Sequence, residues 1–287
     1  MAKGLAISGG ATKVSFLAGA AIEMNKVNDY QIYSGISAGS IINLLLPIGE
    51  YDILKESVMN SSTGDLFSHP PLNNKDNITL SAIWRVITGK NSLGDFTLKD
   101  LLKKYYKPEH HVKMQSSGKI VKVGATNYDL MKVDYCDITK VDYDTALNWV
   151  VASSSIPMVC QPVSINNFDY YDGGVMEHVS GLEVIRTGAT ELDVIFSRPQ
   201  HMDLLNTPWT AKNVLEVAMR TFNIMSKDIS AEDEYAIRLT CQENKIPLNI
   251  IYPSAELESG MYEMNTDLMT RWWSLGHDAA INLINNK

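Results

Sequence analysis

Along the first fifty positions the apolar residues alternate between short unbroken runs and helical stripes. Residues 5–7 are apolar and end in Ser8-Gly9-Gly10-Ala11-Thr12-Lys13, after which residues 14–24 carry the spacing of a buried helix. A turn at Asn28-Asp29 leads into a second apolar run over 31–36, and a helix-forming run over 38–46 follows at once. Two strand-loop-helix units in succession predict a parallel sheet covered by helices.

Residues 60–99 break this rhythm. They are richer in Ser, Asn, Gly and Pro, with turns at His69-Pro70-Pro71 and Gly94-Asp95 and a short helix near 80–87, and read as an insertion carrying mobile segments. A short helix over 98–106 stops at Pro108, residues 119–125 alternate Lys and Val as a half-exposed strand does, and 132–138 is a candidate partner for it. Residues 145–154 read as a helix ended by Ile156-Pro157. Runs at 163–165 and 168–171 flank Asn166-Asn167 as a hairpin and deliver Asp172-Gly173-Gly174. A helix over 181–187, a strand over 192–196, helix through most of 213–244, a strand over 248–252 and a terminal helix over 265–286 complete the pattern. The expectation is one three-layer α/β/α domain over residues 1–287 with a mainly parallel central sheet and a lid or insertion around 60–99.

Composition narrows the classes. A chain of 287 residues with 45% hydrophobic content is neither disordered nor fibrous. A formal charge of −8 argues against a general nucleic-acid binder, so no nucleic-acid partner is expected. The four lysines within 99–107 read as a solvated helix face, with approach to anionic lipid as the other reading. No stretch approaches the ~20 apolar residues that span a bilayer. The N-terminus has no apolar signal core, so a cytoplasmic protein, peripheral to membranes at most, is expected. Cys136, Cys160 and Cys241 are odd in number and lack a C-x-x-C pair, so they read as reduced structural residues. No calcium-loop or zinc-ligand spacing is present, and no metal or other cofactor is implied.

Candidate chemistry begins at Gly35-Ile36-Ser37-Ala38-Gly39, between an apolar run and a helix start. In a G-x-S-x-G elbow the chain reverses sharply from strand to helix and leaves the serine hydroxyl exposed, so Ser37 is the first candidate nucleophile. The Ser8–Lys13 loop offers consecutive N–H groups at a helix start, a cradle for a phosphate or an oxyanion; a ligand-free β-α turn is the other reading. Neither dinucleotide nor P-loop spacing is present, and the elbow one unit later favours the oxyanion. Asp172-Gly173-Gly174 places a carboxylate at a strand end, unless it is merely a turn.

Together these motifs resemble the patatin-like phospholipase family, in which a Ser–Asp dyad does the work of a triad. Ser8–Lys13 is similar to the family's oxyanion loop, with Gly19 as a small residue in the helix after it, and Gly35–Gly39 to its nucleophile elbow. Gly124-Ala125-Thr126-Asn127 resembles an internal strand, Ala152-Ser153-Ser154-Ser155-Ile156-Pro157 the helix end before the hairpin, and Asp172-Gly173-Gly174-Val175 the dyad aspartate. Departures are Ala11 at a usual third glycine, Val14 at another, and Glu177-His178 where Asn or a similar residue often follows the aspartate.

The resemblance implies a lipid acyl hydrolase of phospholipase A type acting on phospholipids or related acyl lipids, with transient membrane-surface contact. Ser37 attacks the ester, Asp172 accepts its proton, the N–H groups of Gly9, Gly10 and Ala11 hold the oxyanion, and water releases the acyl-enzyme. Alternatives are an acyltransferase with the same dyad and a degenerate lipid-binding module. Lys13 is a candidate headgroup ligand or an ordinary exposed lysine, and His178 a candidate site-lining residue or a structural one. Of the other histidines, His69 falls in the insertion, His110 and His111 in a polar loop and His201 in a loop; His277 is the rival base for a triad, but sits in a helical stretch. Phe67, Ile83, Trp84 and Val86 read as a lipid-facing lid or a core cap. Met219, Met225, Met261, Met264 and Met269 read as an adaptable acyl pocket or as ordinary packing.

Overall fold

A computed structural model describes residues 2–72, 78–200, 210–211, 214–257 and 265–286, without the side chains of Thr63, Leu215 and Met219. His201, Met261 and Met264 lie outside the described residues. The strands are β1 (Lys3–Ile7), β2 (Ile32–Ile36), β3 (Phe67–His69), β4 (Asp95–Phe96), β5 (Ile120–Asn127), β6 (Lys132–Asp137), β7 (Val163–Ile165), β8 (Phe168–Asp172), β9 (Glu191–Ile195) and β10 (Leu248–Ile251). The helices are α1 (Val14–Val27), α2 (Ala38–Ile42), α3 (Tyr51–Met59), α4 (Thr63–Leu66), α5 (Leu80–Ile87), α6 (Leu98–Tyr105), α7 (Pro108–Gln115), α8 (Tyr143–Ser153), α9 (Gly181–Arg186), α10 (Val214–Asn244) and α11 (Thr266–Asn285).

The central sheet runs β10-β9-β1-β2-β5 with every pair parallel, and then turns antiparallel through β8, β7 and β6. Both faces are buried because side chains alternate across the pleat. On β1, Leu5 and Ile7 enter one core with Phe16, Leu17 and Met24 of α1, while Ala6 enters the other with Val184 of α9 and Ile237 of α10. The three-layer, mainly parallel α/β/α architecture is thus the one the apolar pattern predicts. The outer helices of the first layer approach closely: a Cβ on Gly19 of α1 would lie 2.5 Å from the Trp273 carbonyl oxygen of α11.

Three local readings need correction. The helix expected over 38–46 ends at Ile42, since a proline ring at 47 opposes helical carbonyl geometry four residues earlier, at Asn43. His110 and His111 are not in a loop: Pro108 opens α7 instead of merely stopping α6, because a proline at the first helical position gives up only an N–H with no intrahelical partner. His111 is buried there and bonds Val141 O at 2.8 Å. The strand expected to be half-exposed is interior, with β2 and β6 on its flanks, and Lys122 ends in an ion pair with Glu183. Within 60–99, β3 and β4 form a small sheet of their own. Cys136, Cys160 and Cys241 are buried free thiols.

Candidate active site

Sheet register brings Ser37 and Asp172 together. β6 occupies one flank of β5 over Lys122–Asn127, so β2 and β8 share the other. β2 runs beside β5 up to the pair Ile36–Gly124, and β8 takes over at the next position, where Asp172 pairs with Ala125. The C-terminal ends of a parallel and an antiparallel strand therefore meet head to head on one neighbour. Ser37 follows β2 there, and Asp172 ends β8.

The elbow is built by close approach. A Cβ on Gly35 would lie 2.4 Å from the Gly39 carbonyl carbon, and one on Gly39 would lie 2.3 Å from Ile7 O, so both glycines are sterically required. Ser37 itself sits at φ 51, ψ −118, a strained conformation for a residue with a side chain. Neighbours hold it: its N–H donates to Ser153 Oγ at 2.9 Å, and Ser40 Oγ donates to its carbonyl at 2.6 Å. Asp172 is buried and equally restrained. Its Oδ1 accepts from Gly174 N at 2.8 Å, its N–H donates to Ser155 O at 2.9 Å, and its carbonyl accepts from Thr126 Oγ1 at 2.9 Å. Burial pushes the Asp172 carboxyl up to about 7, while the Gly174 N–H and the Ser37 hydroxyl within reach of it pull the other way. A carboxyl poised near neutrality beside a hydroxyl is chemically able to take that proton, which an ordinary carboxylate does poorly.

The glycine loop follows β1, next to the elbow. Ser8 Oγ and Ser197 Oγ both donate to Gly9 O, at 2.9 and 2.6 Å, which fixes the orientation of that carbonyl. Gly9 departs from expectation: its N–H donates to the His178 carbonyl at 2.9 Å and is not open to an oxyanion. Among the described residues nothing accepts from the N–H groups of Gly10 or Ala11. Ala11 has φ 46, in the region that favours glycine, so an alanine stands in a strained conformation where a third glycine is usual.

Two hollows meet at Ser37. One is an apolar chamber of about 950 Å³ including its mouth, lined by Ile41, Leu45, Val58, Leu101, Leu102 and Tyr105 among others. Of the candidate acyl-pocket methionines whose side chains are described, neither lines it: Met269 is buried elsewhere in the core and Met225 is exposed. The other hollow is a polar cleft bounded by the glycine loop, Asp172, His178, Arg198, Arg220, Lys227 and Glu256. Glu256 Oε1 lies between Lys13 Nζ at 3.4 Å and Lys227 Nζ at 3.3 Å. Burial lowers the Lys13 pKa, against the pull of Glu256. His178 has its pKa lowered to about 3, first by burial and then by the charges of Lys13 and Arg198, so its ring is neutral at ordinary pH. The His178 backbone N–H donates to Asp233 Oδ2 at 2.7 Å, which ties this segment to α10.

His277 lines neither hollow and pairs with the adjacent Asp278 on α11. Ser153, Thr126 and Ser197 carry contacts that their sequence context did not single out; Ser153 and Thr126 fell inside motif segments, whereas Ser197 had only its place after a strand as a signal.

The chain matches the model of the patatin-like phospholipase family over residues 5–180. It is similar to a probable lipid hydrolase of Invertebrate iridescent virus 6, 31% identical over 181 residues that cover 60% of this chain and 60% of that protein's length. The solved structure of VipD from Legionella pneumophila aligns with a TM-score of 0.45 at 13% identity, over 99% of this chain and 66% of that one. With the elbow, the glycine loop and the D-G-G turn all inside the matched span, the chain belongs to the patatin-like phospholipase family.

Proposed function

We propose that the protein is a lipid acyl hydrolase of phospholipase A type, working through a Ser37–Asp172 dyad. The observation that carries this reading is the position of Ser37 at the junction of an apolar chamber and a charged cleft. An amphiphile divides at its ester bond in the same way, so the acyl chain lies in the chamber, the headgroup in the cleft, and the carbonyl at Ser37. Asp172 accepts the hydroxyl proton as Ser37 Oγ bonds the carbonyl carbon, and the Gly10 and Ala11 N–H groups stabilise the oxyanion. Collapse of that intermediate breaks the ester bond, and the alcohol leaves with the proton from Asp172. Water, deprotonated by the same carboxylate, then releases the fatty acid and restores Ser37. His178, whose ring is neutral, and the Lys13 ammonium line the headgroup side, where they are suited to hydrogen-bond and charge contacts respectively.

The test is product analysis by mass spectrometry after incubation with phospholipid vesicles. The reading expects matched amounts of free fatty acid and lysophospholipid, absent with Ser37→Ala. Acyl products on an alcohol acceptor, without free fatty acid, would replace hydrolysis by acyl transfer.

A further inference from the structure

Two neighbouring helices of eight residues each, α5 and α6, carry the same apolar spacing and send it in opposite directions. In α6, Leu98, Leu102 and Tyr105 are buried and Lys99, Lys103 and Lys104 face outward, as a surface helix should. In α5 the corresponding stripe is Leu80, Ile83, Trp84 and Ile87, which are 85, 45, 65 and 69% exposed, while Ala82 is the buried residue. The apolar face of α5 points into water.

This helix is nonetheless firmly held. Thr79 Oγ1 accepts from Ala82 N, and the Arg85 guanidinium donates to Ser92 O at 3.1 Å and Ser92 Oγ at 2.8 Å. The following turn is tied to the site: Leu93 N donates to Met158 O and Gly94 N to Val159 O, both at 2.8 Å. Ile156, in that same segment, lines both hollows. Residues 79–91 contain Arg85 and Lys90 and no carboxylate, within a chain of net charge −8. An outward apolar stripe whose own segment carries two cations and no carboxylate, with Asp95 near Arg85 as a neighbouring anion, and which is braced against the mouth of a site that divides amphiphiles, matches the surface of an anionic bilayer in both hydrophobicity and charge.

We propose that α5 is an interfacial docking helix, which places Leu80, Ile83, Trp84 and Ile87 among the acyl chains of an anionic lipid surface and so holds the site mouth against its substrate. Its purpose rests on the acyl-hydrolase reading, although its test does not. Full-length Ser37→Ala protein, which leaves the lipid intact, is mixed with phosphatidylcholine vesicles with and without phosphatidylglycerol. Binding is followed by flotation and by quenching of tryptophan with brominated lipid. Leu80→Ser/Trp84→Ser/Ile87→Ser is expected to weaken binding to the anionic vesicles by about tenfold or more. Val27→Ser/Val112→Ser, at exposed apolar positions on other helices, should leave binding unchanged.

In the otherwise wild-type chain the α5 triple variant should turn over a monomeric short-chain ester within about twofold of its parent, since dissolved substrate needs no docking. Equal vesicle binding by the α5 variant and its parent, or equal loss in the control, would overturn the proposal. So would loss of monomeric turnover in the α5 variant of an active parent, which would make α5 a prop of the site. An inactive parent whose vesicle binding still depends on α5 would remove the hydrolase reading and leave the docking helix standing.

Discussion

The two hollows at Ser37 lie against the same strand ends and are made in contrasting ways. The chamber is shaped by side chains from α2, α3 and α6 that offer surface and little polarity, with Leu, Ile and Val dominating its wall. The cleft is shaped by charge: Lys13 and Lys227 share Glu256, and Arg198 is fixed by Ser230 and Glu234. Shape discriminates in small steps, because each added methylene is worth ~0.8 kcal/mol. Charge discriminates in larger ones that salt can screen. Changes on the chamber side should therefore grade substrates by chain length, and changes on the cleft side should sort them by headgroup.

The largest expected effect abolishes the contrast. Ser37→Ala should lower turnover by about a thousandfold or more for every substrate, whatever its chain or headgroup, measured as fatty acid release. Asp172→Asn follows, with a loss of about 10²–10⁴-fold. If Asp172 accepts the serine proton, as proposed, its carboxylate form is the competent one, so activity should rise with pH through about 7 and fall away below it. Glu177 at about 7 and Asp233 at about 6 titrate nearby, and Glu177→Gln should keep that acid limb. Stability runs the other way. The folded-state pKa of Asp172 lies above its unfolded value, so its ionisation destabilises the fold progressively as pH rises from about 4 towards 7. Thermal melts should show Asp172→Asn gaining most over the wild type above pH 7 and least near pH 4.

Smaller effects sharpen the contrast. Leu101→Trp fills part of the chamber and should cut kcat/KM for long-chain esters by about tenfold while sparing short ones. Lys13→Met should raise KM by about five- to tenfold for anionic lipids at low salt, with little change for a neutral ester, and the gap should narrow as salt is added. Ala11→Gly relieves a positive φ in the glycine loop and should stabilise the fold by ~0.5–1 kcal/mol in a denaturant titration.

What the sequence disclosed and what it withheld follow a physical line. Gly35 was legible because its demand is local: an approach of 2.4 Å to the Gly39 carbonyl carbon, four residues on, tolerates no side chain, whereas the 2.3 Å limit on Gly39 is set by Ile7 O of β1 and only its place in the pentapeptide gave it away. The hairpin at Asn166-Asn167 was legible for the same reason, since both residues take the positive φ that Asn accepts. The donor set of the glycine loop was not. Whether the Gly9 N–H is free depends on where the His178 carbonyl comes to rest, 169 positions away in the chain. Lys227 and Glu256 reach the cleft only through tertiary packing of segments with no motif of their own. The outward stripe of α5 was legible as a helix, but its direction was not, because periodicity gives a face and packing decides where that face points.

Covalent trapping distinguishes a Ser37 nucleophile with Asp172 as its proton acceptor from any other pairing. A fluorophosphonate that phosphonylates an activated serine, with loss of fluoride, is followed by intact mass and by peptide mapping. One adduct per chain is expected on Ser37, none in Ser37→Ala, and labelling slowed by about a hundredfold or more in folded Asp172→Asn. An adduct on another residue, or Asp172→Asn labelling at the wild-type rate while His277→Ala does not label, would contradict that pairing.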